Sequence, residues 1–257
     1  WKEKKLQEVT TTSVEAWKAY AEGSRLHDRL QEREAQAFFE KAVEADPNFA
    51  MALAKLSIVQ GNLGDVEKAR AYSAKAVAKA VSLPPGERFY IEGRHYSLDP
   101  STLDQAVAAY QRAVDDAPDQ TAARNNLAQL LLELQRYPEA LVHLEELRRR
   151  GMTFPGSYMS LAQAYVSTGR PDKAREALAE YAAEHPDRAA SFENLAYFEL
   201  TQGRTEAALA AFDEAAALQP DDAIKIEVGR FAAHALRDEW AQAEEAAKRL
   251  QASDDPR

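Results

Sequence analysis

Residues 38–56 read FFEKAVEADPNFAMALAKL, and the reading of this stretch decides the fold. Alanine, glutamate, lysine and leucine favour helix on both sides of Asp46-Pro47. Proline removes a backbone donor and clashes with the preceding turn, so Pro47 predicts the end of one helix. The apolar run that resumes at Phe49 predicts a second helix only two or three residues later.

The same phrase recurs along the chain. Ala35, Ala69, Ala106, Ala140, Ala174 and Ala208 each open a similar segment, at intervals of 34, 37, 34, 34 and 34 residues. Four residues after each marker stands Phe39, Ser73, Tyr110, Leu144, Leu178 or Phe212. The phrase tends to close on a proline: Pro47, Pro118, Pro186 or Pro220. Self-similarity at such a period is the signature of a solenoid, in which stacked units share a continuous core.

Each marker is preceded by another helical segment, such as SYMSLAQAYVSTGRPDKA at 157–174 or SFENLAYFELTQGRTEAA at 191–208. Leu161, Ala162 and Tyr165 fall at helical spacing, as do Leu195, Ala196 and Glu199. A short polar turn follows, with glycine at Gly64, Gly169 and Gly203, where it accepts a left-handed C-cap without steric cost. The equivalent turn Gln135-Arg136-Tyr137-Pro138 has no glycine. Small residues at Gly23, Ala128, Ala162 and Ala196, with the marker alanines opposite, let the paired helices approach closely. Neither helix of a pair has an apolar face wide enough to stand alone, so successive pairs must stack.

Composition agrees with helices and narrows the function. Of 257 residues 46% are hydrophobic, while Gly and Pro are scarce at 10 and 11. No segment approaches eighteen uninterrupted apolar residues, so no membrane insertion is expected. Nothing reads as a signal peptide. The absence of cysteine excludes disulfides and thiolate metal sites and leaves both cytoplasmic and extracytoplasmic locations open. A net charge of −10 repels phosphate backbones and argues against nucleic acid as a partner.

The matching residues Gly23, Leu26, Ala35, Phe39, Ala42 and Pro47 in the first unit resemble the tetratricopeptide repeat pattern. So do Leu161, Ala162, Tyr165, Gly169, Ala174 and Pro186 in the fifth. Six repeats cover 13–220 and a weaker seventh spans roughly 222–250, with Trp240 and Ala243 in the expected places. The third repeat departs from the pattern by extra residues around SLPPGERFYIEGRHYSLDPST, and the second and fourth lack the closing proline. The expected fold is an all-α, right-handed α-solenoid superhelix of about seven helical hairpins. A single solenoid at 13–257 would follow an N-terminal extension at 1–12, with repeats at about 13–47, 48–81, 82–118, 119–152, 153–186, 187–220 and 221–250. The opening segment EVTTTSVEAWKAYAEG, with ERFYIEGRHYS, also resembles repeat regions of bacterial multidomain kinases and winged-helix regulators, whose partner domains this chain does not contain.

No motif for chemistry emerges. His27, His95, His143, His185 and His234 lie far apart, with no His-Glu-x-x-His pair and no Gly-x-Ser-x-Gly elbow. Asp115-Asp116, Asp221-Asp222 and Asp254-Asp255 read as carboxylates placed for helix ends rather than as acid–base pairs. Thr12 and Glu15 suit a capping box. Arg148, Arg149 and Arg150 before Gly151 form an ordinary helix C-terminus. The expectation is a non-catalytic protein without cofactor or metal.

The resemblance implies that the first helix of each repeat lines an inner, concave groove. The residues it places there include Tyr20, Ser24, Tyr90, Arg94, Asn125, Gln129, Gln163 and Tyr197. Asn126 and Asn194 stand one position further along. Amides and tyrosines suit an extended peptide, because amides both donate and accept and tyrosine joins apolar area to a polar tip. With Lys55 and Arg94 as its only nearby cations, the groove does not match the clamp that holds an acidic chaperone C-terminus in some relatives. The expected function is a protein–protein interaction scaffold holding a protein or peptide in this groove. The alternative is a structural subunit that assembles with copies of itself head to tail. Trp1, Leu6 and Trp17 would then meet Phe231, Trp240 and Leu250.

Overall fold

The computed structural model describes residues 11–151, 155–219 and 224–253. At Asp46-Pro47 the backbone makes a tight turn with proline in its second position. Asn48 N donates to Asp46 Oδ1 at 2.9 Å, and Phe49 N donates to Asp46 O at 3.0 Å. The same bond recurs across Pro118, from Gln120 N to Ala117 O at 2.9 Å, and across Pro186, from Arg188 N to His185 O at 3.2 Å. Proline's preset φ is what this turn position requires. Pro220 lies outside the described residues.

The described residues form fourteen α-helices, most of them paired in successive hairpins. The first three pair α1 (Val14–His27) with α2 (Glu32–Ala45), α3 (Ala50–Asn62) with α4 (Val66–Lys79), and α5 (Pro85–Tyr96) with α6 (Leu103–Asp116). Next in the chain are α7 (Thr121–Glu133) and α8 (Tyr137–Arg149). Then come α9 (Pro155–Ser167) with α10 (Pro171–Glu184), α11 (Ala189–Thr201) with α12 (Thr205–Leu218), and α13 (Ile224–Ala235) with α14 (Trp240–Ser253). The chain divides into two compact units, Trp1–Leu131 and Leu132–Arg257, the division falling inside α7. In the first unit α2 packs on α3 and α4 on α5; in the second, α8 packs on α9, α10 on α11 and α12 on α13.

The marker alanines lie where helices meet. Ala35, Ala106, Ala140, Ala174 and Ala208 are fully buried, and Ala69 and Ala243 nearly so. Close approach explains the glycines opposite the bulkiest seam residues. A Cβ on Gly23 would come within 2.9 Å of the Phe39 ring, and one on Gly93 within 2.6 Å of the Tyr110 ring. Ser73 stands where Phe39 and Tyr110 stand in their own hairpins, and its Oγ lies 3.0 Å from His95 Nδ1.

The turn between the two helices of a repeat, except in the third, uses one left-handed residue. Gly64, Gly169 and Gly203 supply it with φ of +85°, +74° and +73°, but Leu30, Gln135 and Asp238 adopt it too, at +61°, +58° and +58°. The extra residues of the third repeat go into its two connections. A 3₁₀ turn at Ala80–Ser82 precedes α5, and another at Pro100–Thr102 precedes α6, with Asp99 accepting from Ser101 N.

Helix ends differ in detail from the sequence expectation. Ser13, not Thr12, caps α1 by accepting from Ala16 N at 3.1 Å. Asp116 accepts from Gly86 N at 2.7 Å, which places it at the N-terminus of the preceding first helix α5 rather than the following helix. Asp221-Asp222 and Asp254-Asp255 lie outside the described residues. Arg148 pairs with Glu180, while Arg149 and Arg150 pair with Glu146, so acidic neighbours take up the basic triplet. The two arginine bonds hold the Glu146 carboxyl down at about 2.

Candidate functional site on the first-helix faces

In the first unit, Tyr20 projects from α1 and is half-buried between the Phe39 and Phe49 rings, at 5.7 and 5.0 Å. Trp17 stacks on it at 5.7 Å. Burial pushes the Tyr20 phenol well above its ordinary pKa, and Ser24 lies beside it one turn on. Tyr20 thus serves hairpin packing with only part of its surface left for a ligand.

Tyr90, expected to line the groove, is only 4% exposed. Its ring lies 6.2 Å from that of Tyr110, and burial pushes its pKa up to about 12. The physical reason is packing: α5 sets Tyr90 against Tyr110 of α6 instead of presenting it. Arg94, one turn on, is half-buried, and its Nε is enclosed without a hydrogen-bond partner. Tyr110 joins the cluster. Its hydroxyl receives Asn126 Nδ2 at 3.4 Å and has Ser97 Oγ at 3.5 Å. Asn125 and Gln129 are half-buried on α7, and Asn125 hydrogen-bonds to none of the described residues.

Lys55, on α3, completes this face. It is half-buried, and desolvation first of all holds its pKa below the ordinary lysine value, with the Arg94 charge adding to that. Its place was legible in the repeat register: one position past Ala54, it corresponds to Asn126 and Asn194 in their own repeats. What the register does not reveal is the absence of a paired acid.

In the second unit Gln163 is exposed on α9 and Asn194 half-buried on α11; neither hydrogen-bonds to a described residue. Tyr197 is committed elsewhere. Its hydroxyl donates to Lys225 O at 2.5 Å, and its ring meets Phe212 edge-on at 5.1 Å. Met159, Val166 and Val228 give this face an exposed apolar character. The sequence reading placed Glu199 on the packing stripe but not its partners: the buried carboxylate pairs with both Arg175 and Arg204.

Of the residues expected at assembly ends, Trp1 and Leu6 lie outside the described residues. Trp17 packs against the cluster of Ala16, Ala42 and Phe49. Phe231 and Trp240 are exposed, and Leu250 is half-buried. Among the described residues no helix is long and apolar enough to cross a membrane, and no group of three acidic or histidine side chains could hold a metal ion.

Models of the tetratricopeptide repeat match residues 102–153, 159–223 and 38–71, together more than half of the chain. No curated protein is similar to it in sequence. The C-terminal part of a TPR repeat-containing protein from Cytophaga hutchinsonii superposes with a TM-score of 0.61 at 16% identity, covering 91% of this chain and 95% of its own. A tetratricopeptide repeat protein from Parabacteroides merdae gives 0.57 at 15%, covering 95% and 94%. A chain of the APC/C hetero-tetramer Cut9–Hcn1 gives 0.61 at 18%, covering 85% of this chain and 43% of that one. At these identities the likeness concerns the fold. Tetratricopeptide proteins are generally non-catalytic scaffolds that bind other proteins. The helical hairpins, the buried alanine seam and the matched repeats place this chain in the tetratricopeptide repeat family.

Proposed function

We propose that the protein is a non-catalytic scaffold that binds an extended segment of a partner protein along its first-helix faces. One observation carries this reading. Gln163 and Asn194 stand on successive first helices of the second unit, α9 and α11, with side-chain amides that hydrogen-bond to no described residue. Amides in such positions can exchange hydrogen bonds with a peptide backbone whatever its sequence. The test is selection of peptides from a random display library on the immobilised protein. The selected peptides are then titrated against the variant carrying Gln163→Ala and Asn194→Ala. Each lost hydrogen bond is worth on the order of 1 kcal/mol, so the double variant should bind far more weakly at unchanged stability. Equal affinity for both proteins would reject the assignment.

A second reading, self-association, is favoured by the last hairpin. Val228, Phe231, Leu236 and Trp240 are exposed there, Trp240 to 62%. Large apolar groups on a terminal hairpin are the kind of anchor an interface uses. Sedimentation velocity across a concentration series decides it: a constant monomer rejects self-association.

A further inference from the structure

First helices of later repeats pack on the second helix of the repeat before: α3 on α2 and α5 on α4, and in the second unit α9 on α8, α11 on α10 and α13 on α12. Among the described residues α1 has no such neighbour. Counted from the marker alanines, Lys18, Phe38 and Lys41 correspond to Ser157, Ala177 and Glu180. Ser157 and Ala177 are buried, and Glu180 pairs with Arg148 of the preceding α8. Ala109 and Ala211 hold the Phe38 position in their own repeats and are buried too. The first hairpin thus carries a half-buried phenylalanine on a face that its later copies cover.

That face is a groove. Lys18 and Ala19 of α1 and Phe38, Lys41 and Ala45 of α2 line an open cavity of about 530 Å³. Phe38 and the two alanines make it apolar, Lys41 Nζ lies over the Phe38 ring at 5.0 Å, and Glu15 and Glu44 add acidic charge. Ten residues of the chain, WKEKKLQEVT, lie outside the described residues. They join the structure at Thr11, which is buried and whose hydroxyl donates to Asp46, the residue after Ala45. The connection therefore starts beside the groove. Phe38 to Ala45 spans about 10 Å along α2, and ten residues cover about 15 Å even when coiled as a helix. Trp1, Leu6 and Val9 offer apolar groups to Phe38, and the lysines and glutamates between them meet groove charges of both signs.

We propose that residues 1–10 dock in the α1–α2 groove of their own chain, in the place that a preceding second helix takes in later repeats. This goes beyond both readings above, since it needs no partner protein. The docked segment also occupies the face on which a copy stacked head to tail would sit.

The chain has no cysteine, so an engineered pair reports proximity through disulfide formation. Full chains with Leu6→Cys and Lys41→Cys are oxidised in dilute solution. They are compared with chains carrying Leu6→Cys and Ala37→Cys, because Ala37 is exposed on α2 outside the groove lining. The expected result is a link within single chains, formed about tenfold or more faster in the groove pair. Adding Phe38→Ser, with native circular dichroism as the control, should slow that link about tenfold. Equal rates for the two pairs, no link, or a rate unmoved in folded Phe38→Ser would overturn the docking. Linked dimers in place of linked single chains would overturn it too and assign the groove to a second copy.

Discussion

At the scale of the residue, size at the helix seam is the governing quantity. Gly93 faces Tyr110 so closely that a methyl group would sit 2.6 Å from the ring. Gly93→Ala should therefore destabilise by about 1–3 kcal/mol through overpacking, although alanine is the better helix former. Urea denaturation showing equal or greater stability would mean that the Tyr110 ring can move aside freely. Tyr90 gives a prediction with pH. Its pKa stands near 12 in the fold against an ordinary value of 10.0. The phenol's contribution is fully present below about pH 10 and is lost as pH rises toward 12, because the unfolded chain releases the proton first. Tyr90→Phe should flatten part of the alkaline loss of stability. Parallel curves for both proteins, measured by urea melts across that window, would show that Tyr90 titrates normally.

At the scale of the element, what holds one helix to the next is partly electrostatic. Glu199 on α11 is 1% exposed and pairs with Arg175 on α10 and with Arg204 at the start of α12. One carboxylate thus ties three helices of consecutive hairpins. Glu227 does the same for the last hairpin, pairing with Arg230 on α13 and Arg249 on α14. Breaking a buried pair strands a charge, but both guanidiniums at Glu199 reach solvent, which moderates the effect. Glu199→Ala should cost about 1–3 kcal/mol, measured as a lower urea midpoint at unchanged slope. A neutral result would mean that water replaces the carboxylate without loss. The spacing of Glu199 with Leu195 and Ala196 already marked it as a packing position. Only the assembled hairpins bring both arginines to it.

At the scale of the whole molecule, the question is whether the last hairpin ends the structure or joins a copy. Trp240 is 62% exposed, so the isolated chain has little packing to lose there. Trp240→Glu should change the stability of a monomer by no more than about 0.5 kcal/mol. In a self-associating protein the same substitution should release folded single chains, since truncating an aromatic anchor costs an interface about 2 kcal/mol or more. Sedimentation velocity together with a thermal melt separates the cases. Assemblies that survive Trp240→Glu would move the interface away from this hairpin.

The amino-acid sequence by itself determined the repeat, its period, the hairpin turns and the alanine seam. These rest on local chemistry: proline stops helices, glycine opens left-handed turns, and small side chains recur where helices cross. The resemblance to the repeat family implied that Tyr20, Tyr90 and Tyr197 line a groove. The tertiary structure put Tyr90 in the core, wedged Tyr20 between two phenylalanines and spent the Tyr197 hydroxyl on Lys225. Whether a polar side chain is free depends on which neighbours the neighbouring hairpins bring, and those lie some thirty residues away in the chain. The sequence reading named Lys55 and Arg94 as the groove's only nearby cations without showing what they face. Only the packing of α1, α3, α5 and α6 around them shows two half-buried cations facing no paired acid.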